Sequence, residues 1–456
     1  MTAMPRATSA LHTDLYQLTM LRAYQREGMQ ETAVFDLFVR RLKDRGYLVA
    51  AGLETVLDFL EGVGFTSEDQ AYLRSLDDFD DAFVDGLADF SFTGDVYAVP
   101  EGTPVFPEEP LLEVVAPIGE AQLVETYLLN QMTLQTTIAS KAARVVQAAT
   151  ADGTDRLVAD FGMRRAQGLD AALKGARAAY IAGVDATSNV AAGQAYGLPV
   201  TGTMAHSYIE AHDQEAAAFT AFMDTYPETI LLVDTYDTLR GVRKVIDLAQ
   251  RMGDDFKVRG VRLDSGDLAA LAKEARRLLD DAGLHDIQLV ASSSLDEYRI
   301  AELLADGAPI DGFGVGTRMA TSADQPYLDS AYKLSGYDGT PRMKLATDKS
   351  NLPGRKQVYR QLKNGTAVQD VIATEEETVE GTPLLQKVME AGQRVGERPS
   401  ADALRARCAA ATAQLPEALR TLDADAAYPV AYSEGLQERI RDTKAAIEAR
   451  LATPAA

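Results

Sequence analysis

Only four histidines stand among the 456 residues of this chain. One of them, His206, lies in the stretch VTGTMAHSYIEAHDQE (200–215), between a short apolar run and a segment that reads as the start of a helix. An imidazole so placed can exchange a proton near neutral pH or act as a nucleophile; the plainer alternative is a polar residue satisfied near a strand end. In GVRLDSGD, strand alternation puts Arg262 and Asp264 on one face. A cation and a carboxylate then point together from a strand end, with a structural ion pair as the competing explanation. GFGVGTRM sets Gly314 and Gly316 before Thr317 and an expected turn of helix. Glycines let backbone N–H groups approach a phosphate closely, and a helix N-terminus favours negative charge. The spacing is not that of a dinucleotide fingerprint. Two basic islands, VRRLKDR (39–45) and GRKQVYR (354–360), are candidate anion sites whose ordinary reading is a solvated charged face.

Elements that hold such residues follow from the pattern between about 155 and 320. Short β-rich apolar runs alternate there with Ala/Leu-rich helical segments, the runs ending at LVADFGMRR, AAYIAGVDATSN, PVTGTMAHS, TILLVDTYDT, VRGVRLDSGD, IQLVASSSLDE and DGFGVGTRM. Their ends recur at roughly 18 to 29 residues, the length of a strand, a helix and two loops. The expected class is α/β: an irregular (β/α) barrel domain, with active-site residues where strands end and loops begin. An open doubly wound sheet is the alternative. The barrel is expected over 131–324. Residues 1–130 read as an α+β domain: a helix at HTDLYQLTMLRAYQREG, a strand at ETAVFDLFVRR, a helix at AAGLETVLDFLEGVG and two strands around a Pro/Gly turn in FTGDVYAVPEGTPVFPEEPLLEVVAP. Parts of 325–385 are expected to complete its sheet, and 386–456 to form a C-terminal helical segment.

Composition narrows the partners. A net charge of −23 opposes binding to nucleic acid or to an anionic membrane surface. No apolar run reaches the ~18 residues of a membrane span, and the N-terminus lacks a signal-type hydrophobic core. A single cysteine, Cys408, allows no internal disulfide. A cytoplasmic protein without membrane or nucleic-acid partners is expected.

HTDLYQLTM, FGMRR, TGTMAHSYI, VRLDSGD, GFGVGTRM and GRKQVYR occur in this order, and together they resemble the nicotinate phosphoribosyltransferase family over nearly the whole chain, from about residue 12. Longer members of the family can carry a cysteine-rich metal-binding tail, and this chain, with its single cysteine, lacks the cysteines for one. The resemblance implies transfer of phosphoribose from 5-phosphoribosyl 1-pyrophosphate to nicotinate, giving nicotinate mononucleotide and pyrophosphate in NAD salvage. ATP, as co-substrate, would be hydrolysed through a phosphohistidine, which the resemblance places at His206. Asp234 would lie near His206 and orient it, and Asp264 would contact ribose or metal. Mg²⁺ is implied on the phosphates. Phe161 and Tyr16 would stack on the acceptor ring, Tyr16 coming from a partner subunit. Arg262 would face the carboxylate, with Ser188 and Thr203 as hydrogen-bond donors and Arg164 as a further substrate contact. For the phosphates the resemblance suggests Arg40, Ser293, Gly314, Gly316, Thr317, Lys344 and Arg355, with Arg41, Lys333 and Lys356 also available. A homodimer with a shared site is implied. Competing readings are a sister enzyme acting on nicotinamide or quinolinate, with Ser188 and Asn189 of DATSNV where an acid would select an amide, and a non-catalytic metabolite-binding protein on the same fold.

Overall fold

The computed structural model describes residues 6–43, 45–345, 351–422 and 427–452. They fall into two compact units, one formed by residues 1–137 with 327–456 and the other by 138–326.

The second unit is built on six parallel strands in the spatial order Ala186–Thr187, Leu157–Asp160, Gly312–Val315, Gln288–Ser292, Gly260–Leu263, Ile230–Leu232. The strands are short and apolar, and those in the middle of the order are flanked on both sides, as expected of parallel strands covered by helices. Helices follow the strands, and four of them begin on an Asn or Asp cap. Asn189, Asp237, Asp267 and Asp296 each accept a hydrogen bond from the backbone N–H three residues on, at 3.1, 2.8, 3.2 and 2.8 Å. Each cap ends a short loop and fixes where the next helix begins.

The order departs from expectation at one place. The run PVTGTMAHS contributes no strand; it makes a single parallel bridge, Thr187 to Val200. Pro199 brings no N–H to a ladder and Gly202 follows closely, so the segment leaves the sheet after one turn of pairing. The strands at 186–187 and 230–232 are therefore the sheet's two edges, and the barrel is an irregular curl with its gap at the His206 segment.

Glycines in the 312–315 strand have a packing reason. A Cβ on Gly314 would stand 2.5 Å from Cε2 of Phe161, and one on Gly316 would meet the Phe161 carbonyl oxygen at 3.1 Å. The bare backbone is what lets the Phe161 ring lie against this strand. Behind the loops, Lys141 is almost fully buried and forms ion pairs of 2.6 Å with both Glu297 and Asp324. It ties the start of helix Glu297–Ala305 to the segment after Gly316.

The first unit holds a seven-stranded antiparallel sheet, Thr340–Pro341, Ser330–Tyr337, Thr32–Val39, Pro110–Pro117, Asp95–Ala98, Gln386–Glu390, Gln393–Arg394. A four-stranded sheet follows the order Thr382–Pro383, Lys356–Lys363, Thr366–Thr374, Val430–Tyr432. Residues 386–456 are thus not a helical segment throughout. KVMEAGQR forms a hairpin turning at Ala391 and Gly392, both with positive φ (48° and 75°), and joins the N-terminal sheet. Helices Ala401–Ala413 and Glu434–Ala452 make up most of the remainder.

Across the seven-stranded sheet the register aligns Lys333, Asp36, Glu113, Tyr97 and Lys387 in one row. Lys356 reaches Asp36 at 2.7 Å, and Arg355 reaches Glu113 at 2.8 Å while lying 4.2 Å from the Tyr97 ring centroid. Arg360 is likewise buried on Asp370 at 2.5 Å. The island GRKQVYR is therefore neither a solvated face nor a free anion site: Arg355 and Lys356 tie the two sheets together, and Arg360 pairs across to the neighbouring strand of its own sheet. Among the described residues no helix is long and apolar enough to cross a membrane.

Candidate active site

Polar side chains converge where the strands of the second unit end. Arg262 is at their centre, its side chain 13% exposed. Its Nε donates to Ser292 Oγ at 2.8 Å, Nη1 to Thr203 Oγ1 at 3.0 Å and Nη2 to Asp264 Oδ1 at 3.0 Å. Its guanidinium carbon lies 5.2 Å from the Phe161 ring centroid. Three anchors and a ring contact fix the plane of the guanidinium. Since the group carries five N–H donors, two are left for a ligand.

Asp264 is the second hub. Its Oδ1 also accepts a short bond from the Ser292 hydroxyl, and its Oδ2 lies 3.6 Å from His206 Nε2. Burial works to raise its pKa, but the Ser292 hydroxyl, Arg262 and His206 outweigh it and hold the carboxyl below its ordinary value. Asp264 is thus a standing carboxylate.

His206 is the first residue of helix His206–Glu210, and its side chain is 39% exposed. Its Nδ1 lies 3.1 Å from Thr235 Oγ1. The expected orienting role of Asp234 goes instead to Thr235 and Asp264. Asp234 turns toward the next strand, where its Oδ2 accepts from the Asp264 backbone N–H at 3.0 Å and the Ser265 hydroxyl at 2.5 Å. It shapes the strand end that carries Asp264, and its Oδ1 is buried without a hydrogen-bond partner among the described residues.

Asp160 braces the neighbouring loops. Its carboxylate accepts from Gly162 N–H and Thr187 Oγ1, both at 2.8 Å, and its carbonyl accepts from Ser188 N–H at 2.8 Å. Burial raises its pKa against these two donors. The turn bearing Phe161 and the strand end bearing Ser188 are thereby fixed to each other. Asn189 is buried and spent as a helix cap, with its amide N–H on the Ala172 carbonyl at 3.2 Å, so it does not face a ligand. Arg164 is exposed in the short helical turn Met163–Arg165.

Ser293 and its neighbour Ser294 both have positive φ, 89° and 51°, directly after strand Gln288–Ser292. Two consecutive non-glycine residues in that region mark a backbone held against its preference, a feature that concentrates at ligand sites. Gly314 lies in the adjacent strand Gly312–Val315, and Gly316 and Thr317 follow it. The helix after them, Thr317–Ala320, has only four residues, so its dipole is weaker than the sequence suggested.

The remaining candidates are in the first unit. Tyr16 is 48% exposed near the start of helix Leu15–Glu27, where partial burial, Glu125 and Asp14 push its hydroxyl up to about 12. Arg40 directly follows strand Thr32–Val39 and pairs with Asp329 at 2.9 Å. Lys344 is exposed, its backbone N–H held by Asn351 Oδ1 at 2.9 Å. Arg355 already has Glu113 as a partner, and Lys356 is buried, which removes it from contact with phosphate.

Ser292, Thr235, Ser265 and Asp160 were not singled out from sequence. A serine closing an apolar strand is a signal in retrospect, because a buried hydroxyl must find a partner.

Comparison with known proteins agrees with this geometry. Residues 11–133, 157–341 and 378–439 match, in turn, the N-terminal domain, the family core and the C-terminal domain of nicotinate phosphoribosyltransferase (NAPRTase). The chain is 52% identical over 435 residues to nicotinate phosphoribosyltransferase pncB2 of Mycobacterium tuberculosis (strain H37Rv), covering 95% of this chain and 93% of the relative. It is 45% identical over 360 residues to nicotinate phosphoribosyltransferase of Bacillus subtilis (strain 168), covering 77% and 73%. The crystal structure of human nicotinic acid phosphoribosyltransferase superposes with a TM-score of 0.84 at 30% identity, covering 94% of this chain and 99% of that one. With all three family segments matched in order and relatives of this similarity along its length, the chain belongs to the nicotinate phosphoribosyltransferase family.

Proposed function

We propose that this chain joins nicotinate to 5-phosphoribosyl 1-pyrophosphate, releasing pyrophosphate and nicotinate mononucleotide in NAD salvage, with ATP hydrolysed through a phosphohistidine at His206. The observation that carries the reading is Arg262, fixed in plane by Thr203, Ser292 and Asp264 and lying 5.2 Å from the Phe161 ring centroid. An aromatic face beside a guanidinium with two spare donors suits a flat ring bearing a carboxylate.

In the transfer, the bond from the anomeric carbon to pyrophosphate breaks with its electron pair leaving on oxygen, and a bond forms from that carbon to the ring nitrogen. Positive charge grows on the ribose, and Asp264, kept ionised, is the carboxylate available to stabilise it. For the coupled step His206 attacks the terminal phosphorus of ATP and ADP departs. The Nδ1 contact with Thr235 holds the ring, leaving Nε2 on the Asp264 side.

Among the described residues no group of three or more His, Cys, Asp or Glu forms a metal cage. Asp264 Oδ2 and the unpartnered Asp234 Oδ1 fit the lesser role of one or two carboxylates assisting Mg²⁺ that arrives on substrate phosphates. When bound, Mg²⁺ would neutralise charge on the departing pyrophosphate. Tyr16, Arg40 and Lys344 would serve the site of a second copy of the chain, making the enzyme a homodimer with shared sites. The setting proposed is the cytoplasm, in keeping with the free buried thiol of Cys408.

The test is product formation from nicotinate, nicotinamide and quinolinate, each with phosphoribosyl pyrophosphate, with and without ATP. Nicotinate should be the preferred acceptor, with ATP consumed in step. His206→Ala should abolish ATP hydrolysis and leave slow ATP-independent transfer. Phosphate label from ATP remaining on the mutant protein would sink the assignment of His206.

A further inference from the structure

Ser292 closes strand Gln288–Ser292 and is 2% exposed, so it offers almost no surface to a ligand. It stands instead between the two hubs of the strand ends. Its Oγ accepts from Arg262 Nε at 2.8 Å, and its hydroxyl donates to Asp264 Oδ1. That same Oδ1 accepts from Arg262 Nη2 at 3.0 Å. Arg262, Ser292 and Asp264 thus form a closed hydrogen-bonded circuit.

The direction of the hydroxyl follows from its surroundings. A hydroxyl has one proton to donate. The Leu263 carbonyl lies 3.5 Å away, whereas the Asp264 carboxylate is nearer and charged, so the proton goes to the carboxylate. The lone pairs of Oγ are left for Arg262 Nε.

This circuit decides which part of the guanidinium stays free. Nε has a single N–H, and Ser292 takes it; Nη1 and Nη2 have two each, of which Thr203 and Asp264 take one apiece. One N–H is left on each terminal nitrogen. Because Ser292 and Asp264 bond to each other, they share the Nε–Nη2 edge, and the free Nη2 donor is the one on the Nη1 side. One donor from each terminal nitrogen matches the two oxygens of a carboxylate.

We propose that Ser292 is a positioning residue for the acceptor: it holds Asp264 on one edge of Arg262 and so keeps the two terminal nitrogens in place for a carboxylate. The proposal rests on the nicotinate reading above. Without the hydroxyl, Nε is a buried donor with no acceptor, a state costly enough to turn the guanidinium toward Asp264. The donors that face the acceptor shift with it. Asp264 keeps its Nη2 contact, so the ribose side changes less.

The experiment is steady-state kinetics of the full-length chain, varying nicotinate and phosphoribosyl pyrophosphate in turn, for wild type, Ser292→Ala and Ser292→Cys. In Ser292→Ala, KM for nicotinate should rise about tenfold and KM for phosphoribosyl pyrophosphate should stay within about twofold, since Thr203 and Asp264 still hold the group. Ser292→Cys, close to serine in size but a weak donor and acceptor, should give the same split and decides the matter if Ser292→Ala melts early. A merely structural role lowers kcat with the folded fraction and leaves the two KM values alike. Crystals of the wild type with nicotinate bound, which need no substitution, should show its carboxylate oxygens on Nη1 and Nη2. A wild type that does not use nicotinate overturns the reaction proposed above and this proposal with it. An active wild type whose KM values move equally or not at all in the folded variant, or whose bound carboxylate lies away from the terminal nitrogens, overturns the role of Ser292 alone.

Discussion

At Arg262 the sequence was informative because strand alternation still holds at Asp264, the residue that follows strand Gly260–Leu263. Arg262 and Asp264 are two apart, and they meet at 3.0 Å. Two residues beyond strand Ile230–Leu232 the rule lapses: Asp234 was expected beside His206, yet Thr235 takes that place because the backbone has already turned. Ser292, which bonds both Arg262 and Asp264, lies 28 to 30 residues from them in the chain, and no spacing rule reaches that far. The geometry makes a test of guanidinium against simple charge. Arg262→Lys keeps the cation but loses the planar fork and the anchors that orient it. The proposed contact with a carboxylate is worth roughly 1.5–3 kcal/mol, so kcat/KM for nicotinate should fall about ten- to a hundredfold. Activity with nicotinamide, which has no carboxylate to lose, should fall less. An equal fall for both acceptors would show that Arg262 does not select the acid.

At the scale of elements, the repeating strand and helix pattern was legible because each unit carries its own punctuation of apolar run, Asx cap and amphipathic helix. PVTGTMAHS mimics that punctuation but pairs through one bridge only, since a proline and a glycine interrupt the ladder. Glycine spacing in GFGVGTRM was read as a phosphate feature; the structure adds a packing role, because Gly314 makes room for Phe161. Gly314→Ala would place a Cβ 2.5 Å from that ring, so the ring must shift. Displacing a stacking group by about an ångström costs on the order of a hundredfold in rate, with about 1–3 kcal/mol lost from stability by overpacking. KM for nicotinate should rise more than KM for phosphoribosyl pyrophosphate; equal changes would place Phe161 away from the acceptor.

The charge row of the other sheet gives a pH prediction at the same scale. Burial first, then the neighbouring Asp36 carboxylate, raise Glu113 to about 7 against the pull of Lys356 and Arg355. The folded carboxyl therefore keeps its proton to higher pH than the unfolded one, whose value is near 4.5. Folding takes up a proton between those two values, so this group's contribution is fully present below about 4.5 and is lost as pH rises through about 7. Glu113→Gln removes the titration, and the slope of melting temperature against pH over that window should flatten. A slope identical to wild type would mean that Glu113 is ionised throughout.

Over the whole molecule, sequence order and spatial order part company. Residues 330–341 and 386–394 return to the sheet begun by residues 32–39, and the antiparallel pairings that bring them back span some 300 positions. Local pattern marks each of these as a strand; which sheet it joins is a tertiary matter. The same separation bears on the proposed reaction. Arg262, Asp264 and His206 sit in one compact unit, whereas Tyr16 and Arg40 sit in the other. Tyr16 is half exposed, although an aromatic side chain placed to stack on a ring is expected to be covered in the working assembly. If a second copy supplies that cover, a site takes its stacking tyrosine from one chain and its histidine from the other. Tyr16→Ala and His206→Ala chains, each impaired alone in ATP-coupled transfer, should then complement: in a mixed dimer one site carries both defects and the other carries neither. Random mixing yields about half of the dimers as hybrids, so about a quarter of all sites should be restored. Recovery near that level, measured after denaturing and refolding the two chains together and confirming hybrids with distinct tags, supports a shared site, and hybrids that remain as impaired as their parents place Tyr16 and His206 in the same chain's site.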